Sequence, residues 1–207
     1  MKTPPGSTKL PIRARRTLEQ EGLRTFDETA YCESRHRSLP IEDCVACTHC
    51  THVTFSTAGG SYLICDQPPK PTSARAEPVV ADLMTRVVQC VRPETSVEAA
   101  AALLLECNIG GAPVIDPEGH AIGVVSKTDL VRCLHERLDP KTTTVGEIMM
   151  PMVFALREDA SLDRAAALMA TEGVHRIPIV AADGVLVGVL TPLDLTRALA
   201  RSAGAIP

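Results

Sequence analysis

The chain has no tryptophan, only two tyrosines and three phenylalanines in 207 residues, so aromatic stacking cannot organise its core. Four of those aromatics, Phe26, Tyr31, Phe55 and Tyr62, lie in the first third, and only Phe154 lies beyond it. The long second part must therefore pack with Ala, Val, Leu, Ile and Met. No run of about eighteen apolar residues exists, which excludes a membrane-spanning helix; the most apolar stretch, 99–105, is closed by Glu98 and Glu106. The basic start from Lys2 to Arg16 leads into no apolar segment, so no secretory leader is expected and the expected address is cytoplasmic. No phosphate-binding glycine loop, dinucleotide fingerprint or nucleophile–base–orienter set stands at catalytic spacing, and the chain is expected not to be an enzyme.

What is present is unevenly spread. With 45% apolar and 22% charged residues the chain can bury a real core. Residues 1–75 hold ten Lys/Arg against eight Asp/Glu, and 76–207 hold eleven against seventeen, so the two parts carry about +2 and −6. Between them, residues 67–78 carry four prolines and read as an extended linker.

The acidic, aliphatic part repeats itself. Shifting the sequence by 65 lays residues 82–134 on 147–199 without a gap, with sixteen identities in fifty-three positions. In each copy a serine, Ser96 or Ser161, can cap an alanine-rich helix that runs to Cys107 or Glu172. A strand follows at 112–115 or 177–180, then a turn closed by Gly119 or Gly184, where positive φ is needed. A further strand at 120–125 or 185–190 leads into a second helix starting at Ser126 or Thr191. With leading strands near 88–91 and 154–156, each unit reads β-α-β-β-α. One such unit is too small to be stable alone; two share a core.

The ordered set Asp82-Leu-Met-Thr85, Pro93-Glu-Thr-Ser-Val97, Ala112-Pro-Val-Ile-Asp116 and Gly123-Val-Val-Ser-Lys-Thr-Asp129 resembles the cystathionine-β-synthase (CBS) domain. So does its second occurrence, through Glu147-Ile-Met149, Gly173-Val-His-Arg-Ile-Pro-Ile-Val180 and Gly188-Val-Leu-Thr-Pro-Leu-Asp194. The resemblance implies an α/β (α+β) fold, a tandem CBS pair or Bateman module, with copies at 79–140 and 141–204. It further implies a non-catalytic regulator that binds an adenine nucleotide such as AMP, ADP or ATP between the copies, forms a homodimer and signals to a protein partner. The family's Gly-x-x-Ser/Thr-x-x-Asp signature nominates Ser126 and Asp129, and Thr191 and Asp194, as ligand-binding. Thr128 matches a further hydroxyl, and His175-Arg176 matches a phosphate-facing pair that the first copy replaces by Gly110-Gly111. The two sites should be unequal.

Physical chemistry supports two readings of these residues. A helix N-terminus offers unpaired N–H groups and partial positive charge to a phosphate, and a carboxylate suits a ribose diol. The same spacings are also capping boxes, with Pro192 at the first helical position, and a capping hydroxyl can still face a ligand. His175-Arg176 could equally be a solvent-facing pair near Glu172. The methionines, and Cys90, Cys107 and Cys133, read as packing.

The first part carries a different signal: Cys32, the run Cys44-Val-Ala-Cys47-Thr-His-Cys50, and Cys65. Two cysteines two residues apart can turn both thiolates onto one metal, and tetrahedral zinc takes four such donors. β-formers on either side of Gly59-Gly60 predict a hairpin that returns Cys65 to the Cys44 knuckle. Residues 29–66 thus read as a zinc-ribbon-like β segment held by Cys32, Cys44, Cys47 and Cys65, with Cys50 as alternative ligand and His36, His49 and His52 near. A competing reading uses Cys44, Cys47, Cys50 and Cys65 for an iron-sulfur cluster and makes the chain a redox sensor. Residues 1–28 show no period; Lys9, Arg13, Arg15 and Arg16 are offset by Glu19, Glu21, Asp27 and Glu28, which predicts a solvated flexible arm. A nucleic-acid-binding or transcription-linked role through the ribbon and arm is the remaining alternative.

Overall fold

The computed structural model of the protein describes residues 7–19, 22–32, 34–35, 37–55, 61–66, 78–151 and 154–205. The expected proline linker lies, except for Pro78, outside the described residues, as do His36 and the Gly59-Gly60 turn.

Each half of the repeated region folds in the expected order. In the first copy these elements are α2 (Val80–Leu83), β7 (Val87–Val91), α3 (Val97–Glu106), β8 (Gly111–Ile115), β9 (Ala121–Ser126) and α4 (Lys127–His135). In the second they are α5 (Val145–Ile148), β10 (Leu156–Arg157), α6 (Leu162–Glu172), β11 (Ile177–Val180), β12 (Leu186–Leu190) and α7 (Pro192–Ser202). Ser96 Oγ accepts from Ala99 N–H at 3.2 Å and Ser161 Oγ from Arg164 N–H at 3.3 Å, so both long helices start where a capping hydroxyl satisfies a free donor. Each helix also ends on a left-handed residue, Asn108 (φ 50°) or Gly173 (φ 64°), at equivalent positions. Val91, Leu103, Leu104, Val114 and Val125 build one core, and Leu156, Met169, Ile177, Ile179 and Leu190 the other.

The two copies interlock about an approximate twofold relation. Gly123 sits against Met149, where a Cβ would stand 2.6 Å from the sulfur, and Gly188 receives Met84 in the same way. Paired bridges Val124↔Met150 and Thr85↔Val189 continue that exchange. Val88, Cys90 and Ile115 of the first copy close a shared apolar layer with Leu186 and Val189 of the second.

The described residues among the first 28 do not form a solvated arm. β2 (Arg13–Leu18) pairs in parallel with β7 and antiparallel with β3 (Arg24–Cys32), which in turn pairs with β4 (Arg37–Pro40). The first copy's sheet becomes six-stranded, in the order β4-β3-β2-β7-β8-β9, whereas the second copy keeps three strands. The physical reason is the edge: β7 would otherwise expose unpaired backbone groups, and β2 covers them. Leu18 enters the first copy's core, and Tyr31 packs on the second's.

The cysteine-rich stretch is likewise not a free-standing ribbon. β1 (Thr8–Pro11), β6 (Tyr62–Cys65) and β5 (Cys50–Thr54) form a small sheet in the order β1-β6-β5, next to the short helix α1 (Ile41–Val45). Cys32 ends β3 of the large sheet, so the cysteines span both sheets over a small core of Ile12, Ala30, Leu39, Ile41, Cys44 and Leu63.

Candidate functional site

Where β9 ends and α4 begins, Ser126 N–H donates to Asp129 Oδ2 at 2.8 Å and Ser126 Oγ to the same oxygen at 2.6 Å. Thr191 and Asp194 make the same pair at the start of α7, at 2.8 and 2.7 Å. Both signatures are therefore capping boxes in fact. Asp129 Oδ1 lies 3.5 Å from Arg132 Nη1 and is not used by the cap.

A cleft of about 440 Å³ opens beside Ser126, within the size range of small-molecule sites. It brings together five of the nominated residues, Ser126, Thr128, Asp129, His175 and Arg176, from both copies. Val124, Met150, Phe154 and Val174 supply an apolar wall. Thr191 and Asp194 do not line it and stand at the related helix start instead.

Arg176 shapes this cleft. Gly173 ends α6 and turns the chain so that Arg176, just before β11, faces Gly110-Gly111 of the other copy. A Cβ on Gly111 would stand 2.7 Å from Arg176 Nη1 and 2.6 Å from the Val125 carbonyl, so only glycine leaves room for the guanidinium. The unequal pair read in sequence is one feature, not two: the first copy's glycines are the seat of the second copy's arginine. Burial lowers the Arg176 pKa from its ordinary value, and no carboxylate among the described residues pairs with it. A half-buried cation without a counter-ion, beside Arg132 and a helix N-terminus, makes the cleft attractive to an anion.

Arg132, Met150 and Phe154 were not singled out by the signature. Phe154 carried a usable hint, as the lone aromatic of the repeated region.

The five N-terminal cysteines line a second cavity of about 180 Å³, with Asp43 and His49. Burial first, and then the neighbouring Cys32, Cys50, Cys47 and Cys65 sulfurs, push the Cys44 thiol up to about 11. Cys32 lies below the ordinary value despite its burial, because Ser34 hydrogen-bonds it and Arg35 adds positive charge. Five soft donors around one small cavity fit zinc chemically. Among the described residues, however, no three His, Cys, Asp or Glu side chains stand together as a formed metal site. His49 lines this cavity, while His52 points elsewhere on the exposed face of β5.

The CBS-domain family matches residues 80–136 and 145–201, more than half of the chain. The chain belongs to the CBS-domain family. CBSX2, a chloroplastic CBS-domain protein of Arabidopsis thaliana, is 33% identical over an aligned length of 148 residues, gaps included, that covers 58% of this chain and 62% of that one. The chain thus spans less than two thirds of that relative's length. The structure of CBSX2 in complex with AMP superposes with a TM-score of 0.54 at 35% identity, covering 60% of this chain and 98% of that one. The CBS pair of MJ0100, solved with 5'-methylthioadenosine and S-adenosyl-L-methionine, has a TM-score of 0.56 at 25% identity, with 61% and 98% covered. Hypoxic response protein I of Mycobacterium tuberculosis, solved with two coordinated zinc ions, has 0.54 at 29%, with 58% and 98% covered. The tandem pair and its mixed α/β fold follow from these matches. No helix among the described residues is long and apolar enough to cross a membrane.

Proposed function

We propose that this CBS pair is a non-catalytic sensor of an adenosine-type nucleotide, bound in the cleft lined by Ser126, Thr128, Asp129, His175 and Arg176. The observation that carries the reading is Arg176, a half-buried guanidinium that faces the cleft with no carboxylate partner among the described residues. A phosphate fits between that guanidinium and the N-terminus of α4. Asp129 Oδ1, outside the cap and paired only at 3.5 Å with Arg132, suits a ribose diol, and Phe154, Val124 and Met150 suit a flat base. The AMP found with CBSX2 and the adenosyl ligands found with MJ0100 support the ligand class. Thr191 and Asp194 belong to a second, weaker site, because Gly110-Gly111 provide no cation there.

The proposal extends to the N-terminal unit as the reader of the signal, holding zinc through Cys32, Cys44, Cys47 and Cys65, or through Cys50 in place of one of these. Zinc, once bound, would supply a tetrahedral cross-link between the two sheets; the chain supplies the sulfurs and a buried seat at Cys44. A reducing, cytoplasmic setting agrees with eight cysteines that form no disulfide among the described residues. Exposed Leu105, Val131, Leu134 and Leu199 on α3, α4 and α7 support a homodimer through the helices. Nucleic acid is disfavoured as partner, since Arg13 pairs with Glu158 and Arg15 donates to the Gly119 carbonyl at 3.1 Å.

Isothermal titration with AMP, ADP, ATP and S-adenosylmethionine tests the sensor. Arg176→Ala should weaken the best ligand roughly ten- to hundredfold, the worth of a hydrogen bond to a charged group. If none of the four produces heat, the cleft is not an adenosyl site. Metal analysis of the purified protein tests zinc.

A further inference from the structure

We propose that Cys50 and Cys65 are a reversible disulfide pair, closed by a hydroperoxide. The two residues are register partners in the antiparallel ladder of β5 and β6. Asp66 N–H donates to the His49 carbonyl at 2.8 Å, one position beyond each cysteine. That bond makes 49/66 a hydrogen-bonded pair and therefore Cys50/Cys65 a non-hydrogen-bonded one, the kind whose Cα atoms approach to about 4.5 Å with side chains on one face. Disulfides span Cα separations of about 4.4–6.8 Å, so the bond can close without moving the strands. The ladder shifts register only after Cys50, toward His52.

Both sulfurs line the 180 Å³ cavity, and both residues are half-buried, so a small peroxide reaches them. Cys44, the buried member of the Cys44/Cys47 pair, sits inside α1 and is far less accessible. The chemistry balances with one co-reactant. A thiolate attacks the peroxide oxygen to give a sulfenic acid and releases alkoxide, or hydroxide from hydrogen peroxide. The partner thiolate then attacks the sulfenic sulfur and expels hydroxide. In sum, two thiols lose two electrons and two protons, and the hydroperoxide is reduced to an alcohol and water.

The pair stands without any metal. Its consequence for zinc rests on the zinc reading above: Cys65 belongs to the nominated donor set, so closing the bond removes one ligand. Cys50 then becomes the resolving thiol, not a surplus one.

The test treats the full-length protein, metal-free and zinc-loaded in parallel, with hydrogen peroxide, blocks remaining thiols, and maps peptides without reduction. The expected result is a loss of about 2 Da per chain, a peptide joining residues 50 and 65, and reversal by a dithiol reductant. A bond joining Cys44 to Cys47, or no bond, overturns the proposal. Cys50→Ser should abolish the linkage; if that variant does not fold, the wild-type map decides alone. Zinc released in step with the 50–65 linkage supports the donor role of Cys65. A linkage that forms in protein that never takes up zinc leaves the disulfide intact and removes only the metal reading.

Discussion

Arg13, 4% exposed on β2, donates a charge-assisted hydrogen bond to Glu158 of the second copy, 145 residues away. Its Nε and Nη1 are buried and have no partner among the described residues. One carboxylate therefore carries the whole compensation for a buried guanidinium, and it joins the N-terminal unit to the copy that its strands do not extend. Ser38 N–H adds a second tie, to Asp183 at 2.5 Å.

Glu158→Ala should accordingly destabilise the protein by about 3 kcal/mol, because it leaves a buried charge unpaired. The double variant Arg13→Leu/Glu158→Leu should recover most of that loss. Urea unfolding at neutral pH measures both, and a cost below about 0.5 kcal/mol for the single change would show the pair to be energetically idle.

Gly111→Ala forces a Cβ toward the Val125 carbonyl and into the Arg176 seat. Nucleotide affinity should fall about as far as in Arg176→Ala, roughly tenfold or more. The double variant should lose little beyond either single change, because both remove one interaction. Additive losses in titration would mean that the glycine and the arginine act separately.

Ser126 and Thr191 make matching caps, so Ser126→Ala and Thr191→Ala should each cost about 1 kcal/mol of stability. Only Ser126→Ala should reduce affinity at the Arg176 cleft. Thermal unfolding and titration on the same two variants separate cap from ligand contact. An equal affinity loss in both would place the ligand elsewhere.

Burial pushes the Cys90 thiol up to about 12, from 9.0 when unfolded. A raised acid pKa in the folded state leaves stability untouched below pH 9 and erodes it from pH 9 toward 12, where the unfolded chain sheds the proton first. Between pH 8.5 and 10.5 the protein should lose about 2 kcal/mol more than Cys90→Ala does. Parallel denaturation curves of the two proteins at those pH values would refute this.

Helix caps, turn glycines and the 65-residue register were legible because they are local or periodic: Ser96, Ser161, Gly119 and Gly184 act within a few residues of themselves. β2 was not legible. Its Arg-Ala-Arg-Arg alternation looks solvated in sequence, because the acceptor that neutralises Arg13 lies in the other half of the chain. The Cys44-x-x-Cys47 spacing pointed to a thiol cluster, but spacing could not reveal that Cys50 faces Cys65.

By itself the sequence determined that two homologous β-α-β-β-α units follow one another and that their helices start at Ser126 and Thr191. Only the tertiary structure decided that Arg176 fills the space left by Gly111, that the first strands close the edge of β7, and that five sulfurs share one cavity. The reason is range. Caps and periodicity are satisfied by neighbours within a turn or a strand, whereas an ion pair, an edge or a cleft is made by groups that meet only after the chain has packed.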